Sequence, residues 1–425
     1  MTRHTTSRRM LLGATGATLL TAACSPSSDT TSSGSSGSSA SKTAPSTSAS
    51  VEGKAAAAEG GAPGGAPDGA LGVNFNEDPA GLGAAQLRAL SATWVRGFVP
   101  MTPGDLGGDV TRQRAVKALL SAHGDGRKTI LSLKFPYALG PTKGPLPAPG
   151  STELKDLLAL VDRVLAAVIG KVDILTIGNE PFLETLKEER DKTLNVFYET
   201  LARHVIEYRE RHGGANSGTS LYMGALNNLD SPQGRTPATE RWLRFVNKTP
   251  ELAGVDIHPH VTSLQNAAKF INYVMPSLRP DQKFLATEFS LVQFWAGHMH
   301  DPVSPAFAKR YHVDPGRQVW QVIGDAIKQP FPQQKWDDFV SLTQWFDHSR
   351  NYLTEQMKAF RDTGKLAVAT YGGLQIESMA SGWDGKKTPW ILNPLYANRT
   401  VRPGKDGALG RNVWFDQFKA LQGNA

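Results

Sequence analysis

The chain is almost without cysteine. Cys24 is the only one among 425 residues, so no disulfide can form within the molecule. It also lacks a dense basic run with interleaved aromatics. Its formal charge of +7 falls to +4 once Arg3, Arg8 and Arg9 of the N-terminal segment are set aside. Nucleic acid is therefore not an expected partner. No G-x-G-x-x-G follows the first apolar run, "LGVNFNEDPAGLG", which argues against a dinucleotide-binding sheet. No apolar stretch is long enough for a secure membrane span. The N-terminal one is short and flanked by arginines and small residues.

That N-terminus, "TSRRMLLGATGATLLTAAC", has the build of an export signal. Ser7-Arg8-Arg9 resembles a twin-arginine translocation signal. "LTAAC" resembles a lipoprotein processing box, although Thr21 stands where Leu is usual. Cys24 is thus the expected lipidation site and the only expected tie to a membrane. Residues 25–69 are dominated by Ser, Thr, Gly, Ala and Pro. Such a composition buries too little apolar area to offset its ordering entropy, and is expected to be a disordered tether. The expected division is 1–24 signal, 25–69 linker and 70–425 globular domain.

From Leu71 the texture changes. Short β-branched runs alternate with longer segments of helical period. Strands are expected at 71–75, 94–99, 129–135, 172–178, 220–226, 254–260, 283–289 and 339–346, with 366–374 a rival for the eighth. Helices are expected near 82–91, 111–123, 151–169, 190–212, 237–248, 263–278 and 316–328, with a last one near 411–422. In the stretch 151–169, Leu154, Leu157, Leu158, Val161, Val164, Leu165 and Val168 form one stripe behind a Ser151 or Thr152 cap. Eight strands alternating with helices predict an α/β fold, a closed (β/α)8 TIM barrel.

Active sites of such barrels lie at the C-terminal strand ends. Those ends carry Arg96, Lys134, Asn179-Glu180, Asn227-Asn228, His258-Pro259-His260, Thr287-Glu288 and Trp345. Glu180 and Glu288, on the fourth and seventh strands, could face each other across the mouth. Two facing carboxylates are the working parts of glycoside hydrolysis, provided that their surroundings separate their pKa values. Arg96 is expected beside Glu288. Asn179 is expected to bond a sugar hydroxyl, with Asn227, His258, His260, Trp345 and Trp295 as further substrate or nucleophile contacts. The His-x-His at 258–260 also admits a metal reading. The further His and Asp ligands of a metallohydrolase barrel are not evident, and no metal or other cofactor is expected.

"IGNEP" and "LATEFS", with Arg96 and Trp345, resemble the (β/α)8 retaining glycoside hydrolases of clan A, the "4/7" superfamily. The resemblance spans about 71–350. It implies Glu180 as acid/base, Glu288 as nucleophile, a carbohydrate substrate, and a carboxyl separation of roughly 5–5.5 Å. The sequence departs from that clan on strand 6, where His260 occupies a position that is often Tyr. The alternatives are a glycan-binding lipoprotein on an inactive barrel and a metal-dependent barrel hydrolase. The expected state is an exported monomer, anchored outside the cytoplasmic membrane or secreted.

Overall fold

The computed structural model describes residues 68–422. The expected signal, Cys24 and nearly all of the expected linker lie outside those residues. Eight parallel strands close into a barrel in chain order. They are β1 Ala70–Asn74, β2 Trp94–Pro100, β3 Lys128–Lys134, β4 Ile174–Ile177, β5 Ser220–Leu226, β6 Leu252–Ile257, β7 Lys283–Ala286 and β8 Leu366–Gly372. β1 pairs with β8 over five residues, Ala70↔Val368 to Asn74↔Gly372, and this pairing shuts the ring. A closed ring leaves no strand edge unpaired.

The strands are apolar on both faces, as expected of parallel strands covered on both sides. Ile130, Ile174, Tyr222, Leu285 and Val368 pack together with Ala70 and Trp94 in one cluster. Alternate residues such as Val95, Leu131, Leu175, Leu221 and Val255 join the larger core. The helix Thr152–Val168 buries Leu154, Leu157, Val161, Val164, Leu165 and Val168, and the Ser151 hydroxyl accepts from Leu154 N–H at its start. This is the stripe and cap that the sequence indicates. No helix among the described residues is long and apolar enough to cross a membrane.

The eighth strand is a correction. Residues 339–346 are not a strand; they fall within the helices Gln333–Leu342 and Gln344–His348. The rival segment supplies β8. The short apolar run "FVSL" fits a buried helical turn as well as a strand, and periodicity alone does not separate the two. "LAVATYG" is buried at every position, which suits a strand covered on both faces. Trp345 consequently leaves the strand ends. After β8, residues 373–413 return across the C-terminal mouth, and the helix Trp414–Leu421 packs the chain end against the barrel.

Candidate active site

The C-terminal strand ends surround a cavity of about 170 Å³. Asn74, Asn76, Glu77, Phe98, Lys134, Asn179, Glu180, His260, Glu288 and Trp390 are among its walls. Two larger hollows, near Arg241 and near Arg402, lie away from these carboxylates.

The β4 end shows how the local sequence sets its residues. Gly178 has φ +104°, and a Cβ there would collide with the Gly224 carbonyl oxygen on β5. Only glycine permits that approach together with that backbone. Asn179 and Glu180 then follow directly, and Pro181 opens the short helix Pro181–Glu184. Proline suits a first helical position because its missing N–H would have no partner there. Glu180 thus stands at the point where strand becomes helix, with its side chain 23% exposed to the cavity.

Around Glu288 the interactions are ionic. Arg96, fully buried on β2, places Nη1 2.5 Å from Glu288 Oε1 and Nη2 2.6 Å from Asn179 Oδ1. Its Nε and Nη2 also donate to the Ser132 hydroxyl, at 3.2 and 3.1 Å. A buried guanidinium is tolerated because each face of its fork has a partner. Asn179 is held at both ends of its amide, since Nδ2 donates to Glu184 Oε1 at 2.8 Å. Lys134 Nζ lies 3.4 Å from that same oxygen. The neighbours of Asn179 therefore fix which way its amide faces.

Around Glu180 the partners are softer. Asn227 Nδ2 donates to Glu180 Oε1 at 2.8 Å, and His258 Nδ1 lies 3.1 Å from the same atom. On its far side His258 Nε2 meets Thr287 Oγ1 at 2.9 Å. His260 Nδ1 meets Ser290 Oγ at 2.9 Å, while its Nε2 is 3.8 Å from Glu288 Oε2. That is too far for a hydrogen bond and close enough for a charge interaction. The Trp390 ring stands edge-on to His260 at 4.7 Å.

Burial acts on all four groups. It would raise both carboxyls, but the hydrogen bond and charge of His258, with His260 and Lys134, hold Glu180 below the usual carboxylate range. For Glu288, burial is outweighed by the charges of His258 and Arg96, so it too lies below that range. Burial would lower His258, and the surrounding carboxylates Glu288, Glu180 and Asp256 raise it instead. For His260 burial, helped by the charge of His258, outweighs the pull of Glu288 and Glu180 and pushes it down to about 4, so its ring is neutral near pH 7.

One atom each of Glu180, His258 and His260 falls within 4.8 Å of the others, a spacing that a transition metal could bridge. The geometry alone does not select an ion. Arg96 and Lys134 already supply positive charge beside these carboxylates.

Glu180, Glu288, Asn179 and His260 all line the cavity. Arg96, Asn227 and His258 stand behind it and touch the two carboxylates. Trp295 does not meet the expectation of a sugar contact: it is fully buried, stacked between Phe346 and Trp414. Trp345 stacks on His298 at 4.7 Å and is likewise absent from the cavity wall. The aromatic side chains on the cavity wall are Phe98, Phe289 and Trp390, the last from the segment after β8. The sequence reading also missed Glu184 and Asp256. Both are acids on or near strand ends within apolar surroundings, and that is the signal that could have found them.

No protein-family model matches the chain, and no curated protein matches it. Among solved structures, a thermostable mutant of a xylanase from Cellvibrio japonicus superposes with a TM-score of 0.51 at 14% identity, covering 84% of this chain and 97% of that one. A glucosidase from Croceicoccus marinus gives a TM-score of 0.45 at 12% identity, covering 86% and 68%. The likeness to the xylanase is one of fold: this chain shares with it a (β/α)8 barrel.

Proposed function

We propose that this protein is an exported retaining glycoside hydrolase. Glu288 is the nucleophile and Glu180 the acid/base. The observation that carries the reading is a pair of carboxylates, at the ends of β4 and β7, lining one cavity in unlike company. Glu288 has a guanidinium at 2.5 Å, and Glu180 has an amide and an imidazole. Arg96 keeps Glu288 ionised and aimed, as a nucleophile requires. The shared barrel fold of the xylanase supports the reading at the level of architecture.

In the first step a Glu288 oxygen bonds to the anomeric carbon as the glycosidic C–O bond breaks. The departing oxygen takes its proton from Glu180. In the second, Glu180 removes a proton from water, the water oxygen bonds to the anomeric carbon, and Glu288 is released as carboxylate. Glu180 lies low, and burial is the influence that raises it. A sugar that displaces water from the cavity strengthens that influence, so Glu180 takes up its acid proton together with substrate. The second N–H of Asn179 is available to a sugar hydroxyl, and Trp390 offers a face for sugar C–H groups.

Export and anchoring rest on the N-terminal sequence. Arg8-Arg9 would direct translocation, lipidation of Cys24 would fix the protein to the outer face of the membrane, and residues 25–69 would hold the barrel clear of it. The test of the enzyme is a panel of aryl glycosides and polysaccharides, followed by a fluorinated mechanism-based inactivator of the sugar that is cleaved. Peptide mapping should find the label on Glu288. A protein that binds glycan but takes no label is a binding protein, and activity lost to a chelator and restored by an ion indicates a metallohydrolase.

A further inference from the structure

Behind Glu180 runs a chain of three polar groups, His258, Thr287 and Asp256, that the double displacement does not use. Asp256, fully buried on β6, accepts from Thr287 twice: Oδ1 from the backbone N–H at 3.0 Å and Oδ2 from the hydroxyl at 2.5 Å. Thr287 Oγ1 meets His258 Nε2 at 2.9 Å, and His258 Nδ1 meets Glu180 Oε1 at 3.1 Å. A hydroxyl has one proton. If it goes to Asp256, only its lone pairs face His258, so Nε2 must carry hydrogen. At the other end, Glu180 Oε1 already accepts from Asn227. Nδ1 faces an accepting oxygen and must also carry hydrogen.

The ring is then an imidazolium opposite an ionised Asp256. One other arrangement satisfies every contact. The proton moves from Nε2 to Thr287 as the hydroxyl proton moves to Asp256, which leaves a neutral acid, a reversed hydroxyl and a neutral ring with Nδ1–H. No proton is gained or lost between the two. In both, Nδ1 donates to Glu180 Oε1.

We propose that Asp256, paired with His258 Nε2 at 3.9 Å and bridged to it by the Thr287 hydroxyl, is a positioning residue that holds His258 as an imidazolium donating to Glu180 Oε1 and so directs the acid proton to Oε2. The inference rests on Glu180 being the acid/base. Oε2 has no hydrogen-bond partner among the described residues, and Glu180 lines the cavity. With Oε1 saturated by Asn227 and His258, a proton on Oε2 is the one a leaving oxygen can reach. The other charged and titratable groups facing this chain are Glu288, His260 and Lys134 at the cavity, and Arg96 and Tyr222 beside Asp256.

Asp256→Asn tests it. Asn Oδ1 keeps the Thr287 N–H, so the amide nitrogen faces the hydroxyl and donates to it. The hydroxyl then donates to Nε2, and the ring stays neutral. Glu180 keeps its donor but loses a neighbouring positive charge, and so holds its proton more tightly. The basic limb of the kcat/KM profile should move up by about one pH unit, and Thr287→Ser should keep the wild-type profile. A uniform loss of rate with an unmoved limb would make Asp256 a structural residue only and overturn the inference. If Asp256→Asn does not fold, nitrogen-15 spectra of the wild-type imidazoles decide. Both ring nitrogens of His258 should be protonated between pH 5 and 8, and a bare Nε2 or Nδ1 overturns the inference. That measurement needs no glycoside, so it stands apart from failure to find a substrate.

Discussion

Arg96 Nη1 lies 2.5 Å from Glu288 Oε1, and the same guanidinium reaches Asn179 Oδ1 at 2.6 Å. One buried cation therefore sets two residues of the proposed site, one from β4 and one from β7. Lysine cannot span both, because its ammonium is a point charge without the planar fork. Arg96→Lys should lower kcat/KM by about 100-fold, corresponding to about 2.7 kcal/mol in the transition state. Arg96→Met removes the charge and should cost about 1–3 kcal/mol of stability, because Glu288, 23% exposed to the cavity, and the buried Asn179 Oδ1 both lose their donor. Urea titration and steady-state kinetics check both.

An acid/base carboxyl matters most for poor leaving groups. Glu180→Ala should reduce turnover of unactivated glycosides by about 100- to 10,000-fold. It should cost far less with a dinitrophenyl leaving group, which departs without a proton. Added azide should restore the second step and yield a glycosyl azide of retained configuration. Equal loss across all leaving groups would remove Glu180 from that role.

Glu288 lies below the ordinary carboxylate value of 4.5, as burial is outweighed by His258 and Arg96. Its share of stability is present above pH about 4.5 and is lost as pH falls through its lowered folded value. His260 acts in the same sense. Its ring is pushed down to about 4 from 6.5, so the unfolded chain binds a proton first, and stability declines between those values as pH falls. His258 opposes both: it is raised, so its contribution is full below pH 6.5 and is lost as pH rises through its folded value. Melting temperatures from pH 8 to 3 should show the acid decline, and Glu288→Gln and His260→Asn should each flatten part of it.

Glu184 is a further carboxylate close behind the cavity wall, 2% exposed, accepting from Asn179 and facing Lys134. Glu184→Gln leaves Lys134 without its nearest counter-charge and lets the Asn179 amide turn. We expect kcat/KM to fall by about tenfold, in line with one charge-assisted hydrogen bond of about 1.5 kcal/mol. An inactivator should still label Glu288. Unchanged kinetics would remove Glu184 from the orientation of Asn179.

Much of the barrel could be read from local pattern, because strand and helix periods are properties of neighbouring residues. Helix Thr152–Val168 shows its stripe and cap in the sequence. The "IGNEP" segment shows an apolar strand ending in polar groups that are costly to bury without a purpose. The eighth strand was not legible with the same security. "FVSLTQWF" and "LAVATYG" are both short and apolar, and only closure of the ring, β1 against β8, selects between them.

The sequence by itself determined that strands and helices alternate, and that two glutamates, an arginine and an asparagine sit at strand ends. Tertiary structure alone decided which side chains meet. Trp390 reaches His260 because the chain returns over the mouth more than 100 residues later, while Trp295 and Trp345 turn away. Asp256 reaches Glu180 through His258, directly as a charge at 3.9 Å and by hydrogen bonds through Thr287, a path that crosses from β6 to the ends of β7 and β4. Periodicity assigns a residue to a face, but ring closure and loop return fix its partners, and those partners set charge and proton position.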